Sequence, residues 1–178
     1  MSSDQELDRE VRRAKQRADK ALERVYSLSV VLLRSQCLLE VFMAEMVTVA
    51  QLSDQQITQQ ILEDVTVLRN SPPSRVISLS LLHLATLYVV IEKWREWKFA
   101  DPEVDRLLEN PWVDRLKQFR HAIFHGDKFD SSRLLAITLE PEMITWTNEV
   151  VGAFRAALID WHENQDKRME EYLRSLGW

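Results

Sequence analysis

The sequence predicts an all-α fold, an antiparallel bundle of five to six helices led by a long N-terminal helix. Three observations carry that expectation. Only 3 Gly and 5 Pro punctuate 178 residues, so turns are few and long helices are favoured over many short strands. Apolar residues recur with a seven-residue period through the N-terminal part of the chain, and the later segments open on recognisable helix-start signals. With 46% apolar and 29% charged residues, the composition suits a globular chain and is too apolar for disorder. Residues 1–178 therefore read as one helical domain.

The first helix is announced by Ser3 and Glu6, a capping-box spacing. Leu7, Ala14, Ala21, Leu28, Phe42 and Val49 form one heptad series, and Val11, Ala18, Val25, Leu32, Leu39 and Met46 form the second. Only Ser35 interrupts them. A helix from Asp4 to Ala50 would be about 70 Å long at 1.5 Å per residue. Its seam is small in the first half and large in the second, which assigns the second half to the core. Residues 1–28 then form a projecting arm, or a break near Tyr26 to Ser29 folds that arm back.

Ser53 with Gln56 repeats the capping-box spacing and starts a second helix through Ile57, Ile61 and Leu68. The Asn70–Ser74 stretch, with Pro72 and Pro73, ends it. A third helix, Arg75 to Trp97, is the most apolar and is expected at the centre. Its Ile77–Ile91 core is shorter than a membrane span and contains Ser78, Ser80, His83 and Thr86. Asp101-Pro102 and Asn110-Pro111 each place a capping side chain before a first-turn proline and open two more helices. Gly126 is a natural stop for the second of these. Residues 127–132 read as a loop, 133–139 alternate weakly and could be extended, and a last helix begins near Pro141 and continues through Leu173. Cys37 sits among Val30, Leu33, Leu38 and Leu39 and reads as a small core residue that cannot form an intrachain disulfide. The acidic N-terminus shows no signal-peptide pattern, and the expected location is cytoplasmic.

A net charge of −5 means that the surface as a whole does not attract nucleic acid. Charge is uneven, however. Residues 9–24 hold seven Lys/Arg against three acids, residues 93–133 hold nine against eight, and residues 134–178 hold four against eight. A polyanion would have to meet a local basic patch.

The chemically informative segment is Leu116–Gly126. Arg120 offers a planar, permanently charged fork that fits phosphate oxygens. His125 titrates near neutrality and can give or take a proton. Between them Ile123 and Phe124 supply an apolar anchor for the turn. The pair could hold a phosphodiester and move protons at an attacking 2′-oxygen or a departing 5′-oxygen, with no metal and no cofactor. Five residues at 100° each put the two side chains about 140° apart around a helix. Convergence then requires unwinding at Gly126 or a second copy across a twofold axis, which suits a homodimer with one composite cleft.

The Arg-x4-His pattern, with a polar residue directly after the Arg, resembles the motif of HEPN-domain proteins, small helical proteins that include metal-independent ribonucleases. Leu87–Trp94, Asp101–Leu108 and Phe119–Gly126 are similar to bacterial HEPN-like proteins. The layout covers roughly residues 75–160, with motif content from 88 to 126. The resemblance implies that Arg120 contacts the scissile phosphate, His125 acts as acid and base, and His121 orients both, in a position most often filled by Asn. It implies a toxin or defence ribonuclease that leaves a 2′,3′-cyclic phosphate and a 5′-hydroxyl. It also implies a nucleotidyltransferase-like antitoxin as partner; the short apolar stretch of the third helix argues separately against a membrane. Many such domains bind nucleotides or assemble with partners without cutting, which is the rival reading.

Each candidate has a structural alternative. Arg120 could pair with Asp114, Glu92 or Asp127; Glu92 is then either an orienter of Arg120 or a surface acid. Lys117 lies one turn before His121 and is a candidate for substrate contact. His121 and His125 have a metal-ligand spacing but lack the intervening Glu and nearby Cys of a zinc site. His83 reads as a hydrogen-bonded core residue and His162 as solvated. The six tryptophans suit core or interface packing as well as base stacking. The run Arg9–Arg24 reads as a basic arm or as an ordinary solvated face.

Overall fold

The structure, a computed structural model, describes residues 3–67, 71–125, 140–175 and 177, at positions 3–8, 65–67 and 125 through the backbone only. Within those residues it is an all-α bundle of seven helices with no strand. They are α1 (Ser3–Val49), α2 (Asp54–Val67), α3 (Pro72–Glu96), α4 (Pro102–Leu107), α5 (Trp112–His125), α6 (Pro141–Glu163) and α7 (Gln165–Ser175).

Helix α1 runs unbroken for 47 residues, so the fold-back at Tyr26 to Ser29 does not occur. Its fully buried positions are Ala21, Val25, Leu28, Leu32 and Ser35, one seam through the middle of the helix. This corrects the expectation that the larger second half forms the core. Leu39, Phe42, Met46 and Val49 are only half-buried, while residues 9–17 are exposed. Cys37 is also exposed rather than core. Two residues beyond Ser35, it lies about 200° around the helix from the buried seam.

Capping chemistry places several of the following helices. Ser53 N donates to Gln56 Oε1 at 2.9 Å, and Gln56 N donates back to Ser53 Oγ at 3.4 Å. Helix α2 is described to Val67, and Ser71 before the prolines is extended. Pro72 and Pro73 form the first turn of α3, where no intrahelical N–H is lost, so the helix starts before the expected Arg75. Asp101 caps α4 by accepting from Glu103 N at 3.0 Å and Val104 N at 3.1 Å. Asn110 Oδ1 accepts from Trp112 N at 2.9 Å at the start of α5. Gly126 and the weakly alternating 133–139 stretch lie outside the described residues.

Helix α3 is central, as expected. It packs along α1 on one side and against α2 and α5 on others. Arg24, Ser35 and Glu45 of α1 fall opposite the end, middle and start of α3. Glu45 pairs with Arg75 at 2.9 Å, Ser35 bonds to His83, and Arg24 reaches Trp97 through Tyr172. The two helices are therefore antiparallel. By length and composition α3 is the one helix among the described residues that could cross a membrane; Leu81, Leu84, Leu87, Val90 and Ile91 are buried in the bundle and Leu82 is exposed. It ends at Trp97, after which Lys98 takes a left-handed φ of 58°. That reversal returns Phe99 to the core.

The single last helix expected from Pro141 is two. Asn164 leaves the helical region at φ −115°, ψ 36°. Its amide donates to Asp160 at 2.7 Å, and Arg168 from α7 pairs with the same carboxylate. The bend lets Tyr172 enter an aromatic cluster with Phe99 and Trp161. There its hydroxyl donates to Trp97 O and accepts from Arg24 Nη1, both at 2.7 Å.

Candidate functional site

Arg120 lies one residue beyond Phe119 on α5, so its orientation follows from how α5 packs. Val113, Leu116 and Phe119 are buried and Ile123 packs against them, which fixes one face of α5 on α3. Arg120 sits 100° from Phe119, at the margin of that face. Its side chain is 29% exposed, and Nη2 lies 3.4 Å from Glu92 Oε2 on α3. Of the acids considered for Arg120, Glu92 is the one it pairs with among the described residues; Asp114 is exposed and Asp127 lies outside them. The Nε of Arg120 is buried with no hydrogen-bond partner.

That arrangement divides the guanidinium. One edge meets a carboxylate 38% exposed, which holds the fork in one direction. The remaining N–H groups keep capacity for a second oxygen ligand, since Arg carries five donors. A phosphate is a chemically suitable second ligand.

The neighbours are arranged differently. Lys117 and His121 are both exposed and, four residues apart, share a stripe about 100° from Arg120. Phe124, expected to anchor the turn, is 53% exposed; Ile123 alone supplies that anchor. The backbone of α5 is helical through His125, so at the backbone the angular separation of about 140° between Arg120 and His125 stands. The side chain of His125 lies outside the described residues. Among the described residues no three His, Cys, Asp or Glu side chains gather as a metal-binding group.

Other candidates resolve as packing. Trp94, Trp146 and Trp161 are buried, and the indoles of Trp94 and Trp146 donate to Asp105 Oδ1 and Leu107 O at 3.0 and 3.1 Å. Trp112 is covered by Arg115, 4.5 Å from its ring centre, and Trp178 lies outside the described residues. His162 is exposed. Arg24, at the end of the basic run, is engaged with Tyr172.

His83 is a core residue, but it is only half satisfied. Its Nδ1 lies 2.8 Å from Ser35 O and 3.0 Å from Ser35 Oγ, while Nε2 is buried without a partner. Burial pushes its pKa below the usual histidine value, partly offset by the bond to Ser35. Thr147 on α6 is likewise buried with an unpartnered Oγ1. The sequence carried a signal for part of this, because Ser35 is the one polar break in the heptad of α1 and His83 the one histidine in the apolar stretch of α3. Thr147 had no such flag.

No protein-family model, no curated protein and no solved structure matches this chain.

Proposed function

We propose that the chain is a HEPN-type metal-independent endoribonuclease in which Arg120 binds the scissile phosphate and His125 moves the proton. The observation that carries this reading is the half-committed guanidinium of Arg120. It is oriented by Glu92 and its side chain is 29% exposed, so the phosphate would meet Nη N–H groups; the Nε is buried and takes no part in that contact. In the reaction the substrate 2′-oxygen attacks phosphorus and the P–O5′ bond breaks. His125 removes the 2′-proton, and an imidazolium at that position, either the same ring after taking that proton or the second copy's in the dimer, protonates the departing 5′-oxygen, giving a 2′,3′-cyclic phosphate and a 5′-hydroxyl. Arg120 stabilises the charge that builds on the non-bridging oxygens. His121 and Lys117, exposed on the adjoining stripe, contact flanking phosphates, and Phe124 offers an exposed ring for a base or for a second subunit.

Because α5 is helical through His125, we assign the productive pair to a homodimer, with Arg120 and His125 drawn from two copies of α5. A second reading is a non-catalytic nucleotide-binding or assembly module. The Glu92 contact favours it, since a carboxylate beside the phosphate site weakens anion binding, as does the net charge of −5.

Incubating the protein with mixed-sequence RNA in EDTA separates the two. On the nuclease reading wild type cleaves, and Arg120→Ala and His125→Ala each lower the rate by about a hundredfold or more. Both variants keep wild-type helicity, and the products carry cyclic phosphate ends. Absence of cleavage at high protein concentration, with retained nucleotide binding, establishes the second reading.

A further inference from the structure

Helix α1 carries a second apolar face, opposite the one it buries. Its buried seam includes Leu28 at the centre. At 100° per residue, six positions between 26 and 44 point within about 40° of the direction opposite Leu28. They are Tyr26, Val30, Leu33, Cys37, Val41 and Ala44. None is charged, and they recur three or four residues apart, the spacing of a helix-pairing seam. Tyr26 is 69%, Leu33 58% and Val41 50% exposed; Cys37 and Ala44 are exposed as well, and Val30 is half-buried. Single apolar residues are ordinary on a protein surface, but a contiguous apolar patch marks an interaction face.

The charges at the two ends of this stripe indicate what covers it. Residues 9–24 hold seven Lys/Arg against three acids, whereas residues 35–68 hold five acids and no Lys, Arg or His. Of those acids Glu45 pairs with Arg75 and Asp64 is buried, while Glu40, Asp54 and Glu63 are exposed. A matching partner therefore needs an apolar line with acid at one end and base at the other. A nucleic acid or an anionic membrane, negative throughout, is drawn to one end and repelled at the other. A second α1 running antiparallel has both features and also opposes the helix dipoles. A parallel copy would set the two basic stretches side by side.

We propose that the outer stripe of α1 is a homodimer seam, in which two copies pair antiparallel across a twofold axis level with Ser35. In this register Leu33 of each copy meets Cys37 of the other and Tyr26 meets Ala44, so large residues face small ones. The same patch serves both copies, as a twofold interface requires. The basic stretch of each copy then runs toward the acidic end of α1 in the other. The stripe faces away from α3, the helix on which α5 packs, so the seam needs no part of the Arg120 reading.

Analytical ultracentrifugation of the full chain over a concentration series should show dimers. Cys37 is the one cysteine in the sequence, and in this register it lies about 6 Å along the axis from its counterpart. A short bismaleimide should therefore join the two thiols. Leu33→Glu, at an exposed position, should keep wild-type helicity and abolish that crosslink. It should also weaken association about a hundredfold or more, because two unpaired carboxylates would enter the seam. Direction is read by electron spin resonance from labels on Lys20→Cys in a Cys37→Ala background. Antiparallel copies hold the labels about 45 Å apart along the axis, and parallel copies hold them within about 25 Å. A monomer at every concentration overturns the proposal, as does a missing Cys37 crosslink, association unchanged by Leu33→Glu, or the shorter label distance. Pairing through α5 would survive Leu33→Glu and is read by RNA cleavage, so either proposal can fail alone.

Discussion

At the end of the bundle where α3 closes, Trp94, Phe99, Phe154, Trp161 and Tyr172 interlock with ring centres 5.0 to 5.8 Å apart. The polar tips there are occupied: Trp94 on Asp105, and Tyr172 between Arg24 and Trp97. Toward the start of α3, α1, α3 and α6 instead leave a cavity with two orphaned polar atoms. Both ends are built from apolar helix faces. They differ in the shape of the fillers, since flat rings interlock at one end and flexible methionines and leucines leave space at the other. Aromatic packing adds about 0.5–1.5 kcal/mol per pair beyond area burial, whereas each orphaned buried polar group costs about 1–3 kcal/mol. Stability is thus concentrated at one end, and space is left at the other.

The largest test of that contrast is Phe154→Ala. Phe154 is fully buried against Trp94, and its loss should cost about 3–5 kcal/mol in urea unfolding. Met43→Ala, at the exposed cavity rim, should stay within about 0.5 kcal/mol of wild type. Equal losses would break the comparison.

Tyr172→Phe keeps the ring but removes the hydroxyl that joins α1, α3 and α7. A loss of about 1–3 kcal/mol is expected, because Trp97 O and Arg24 are left without that partner. A neutral result would locate the stability of this end in ring packing alone.

The cavity end should respond to pH. The pKa of folded His83 is lowered, chiefly by burial, so the unfolded chain, near 6.5, takes up a proton first. The stability contribution is full above about pH 6.5 and declines as pH falls from there toward the lowered folded-state value. Urea midpoints across that window should slope in wild type and flatten in His83→Gln. A slope unchanged in the variant would assign it to other groups.

The smallest effect belongs to Thr147→Val. Replacing an unpartnered buried hydroxyl with a methyl of the same shape should be neutral or stabilising, within about 1 kcal/mol by thermal melting. A loss larger than that would reveal a hydrogen bond that the geometry does not contain.

Much of the fold could be read from local rules. The heptads of α1, the Ser53–Gln56 box, and the Asp101 and Asn110 caps all act within a few residues of themselves, so their outcome was legible. The division at Asn164 was not, because no Gly or Pro marks it; a long-range gain, the docking of Tyr172 on Phe99, stabilises the bend. Cys37 was misplaced because the apolar run around it hides which face turns inward. At the site, the Arg120–His125 spacing was visible, but the choice of Glu92 over Asp114 depends on how α5 lies against α3. Ser35 and His83 stood out as polar breaks in two apolar helices, yet nothing in either helix said that they meet.

Periodicity and capping, being interactions over a few residues of backbone, were enough to determine that the chain is helical and roughly where its helices start. The antiparallel register of α1 on α3, the selection of Glu92 for Arg120, and the cavity beside His83 and Thr147 were decided only in three dimensions. They depend on distances between helix surfaces remote in sequence, and those distances follow from the packing of the whole core.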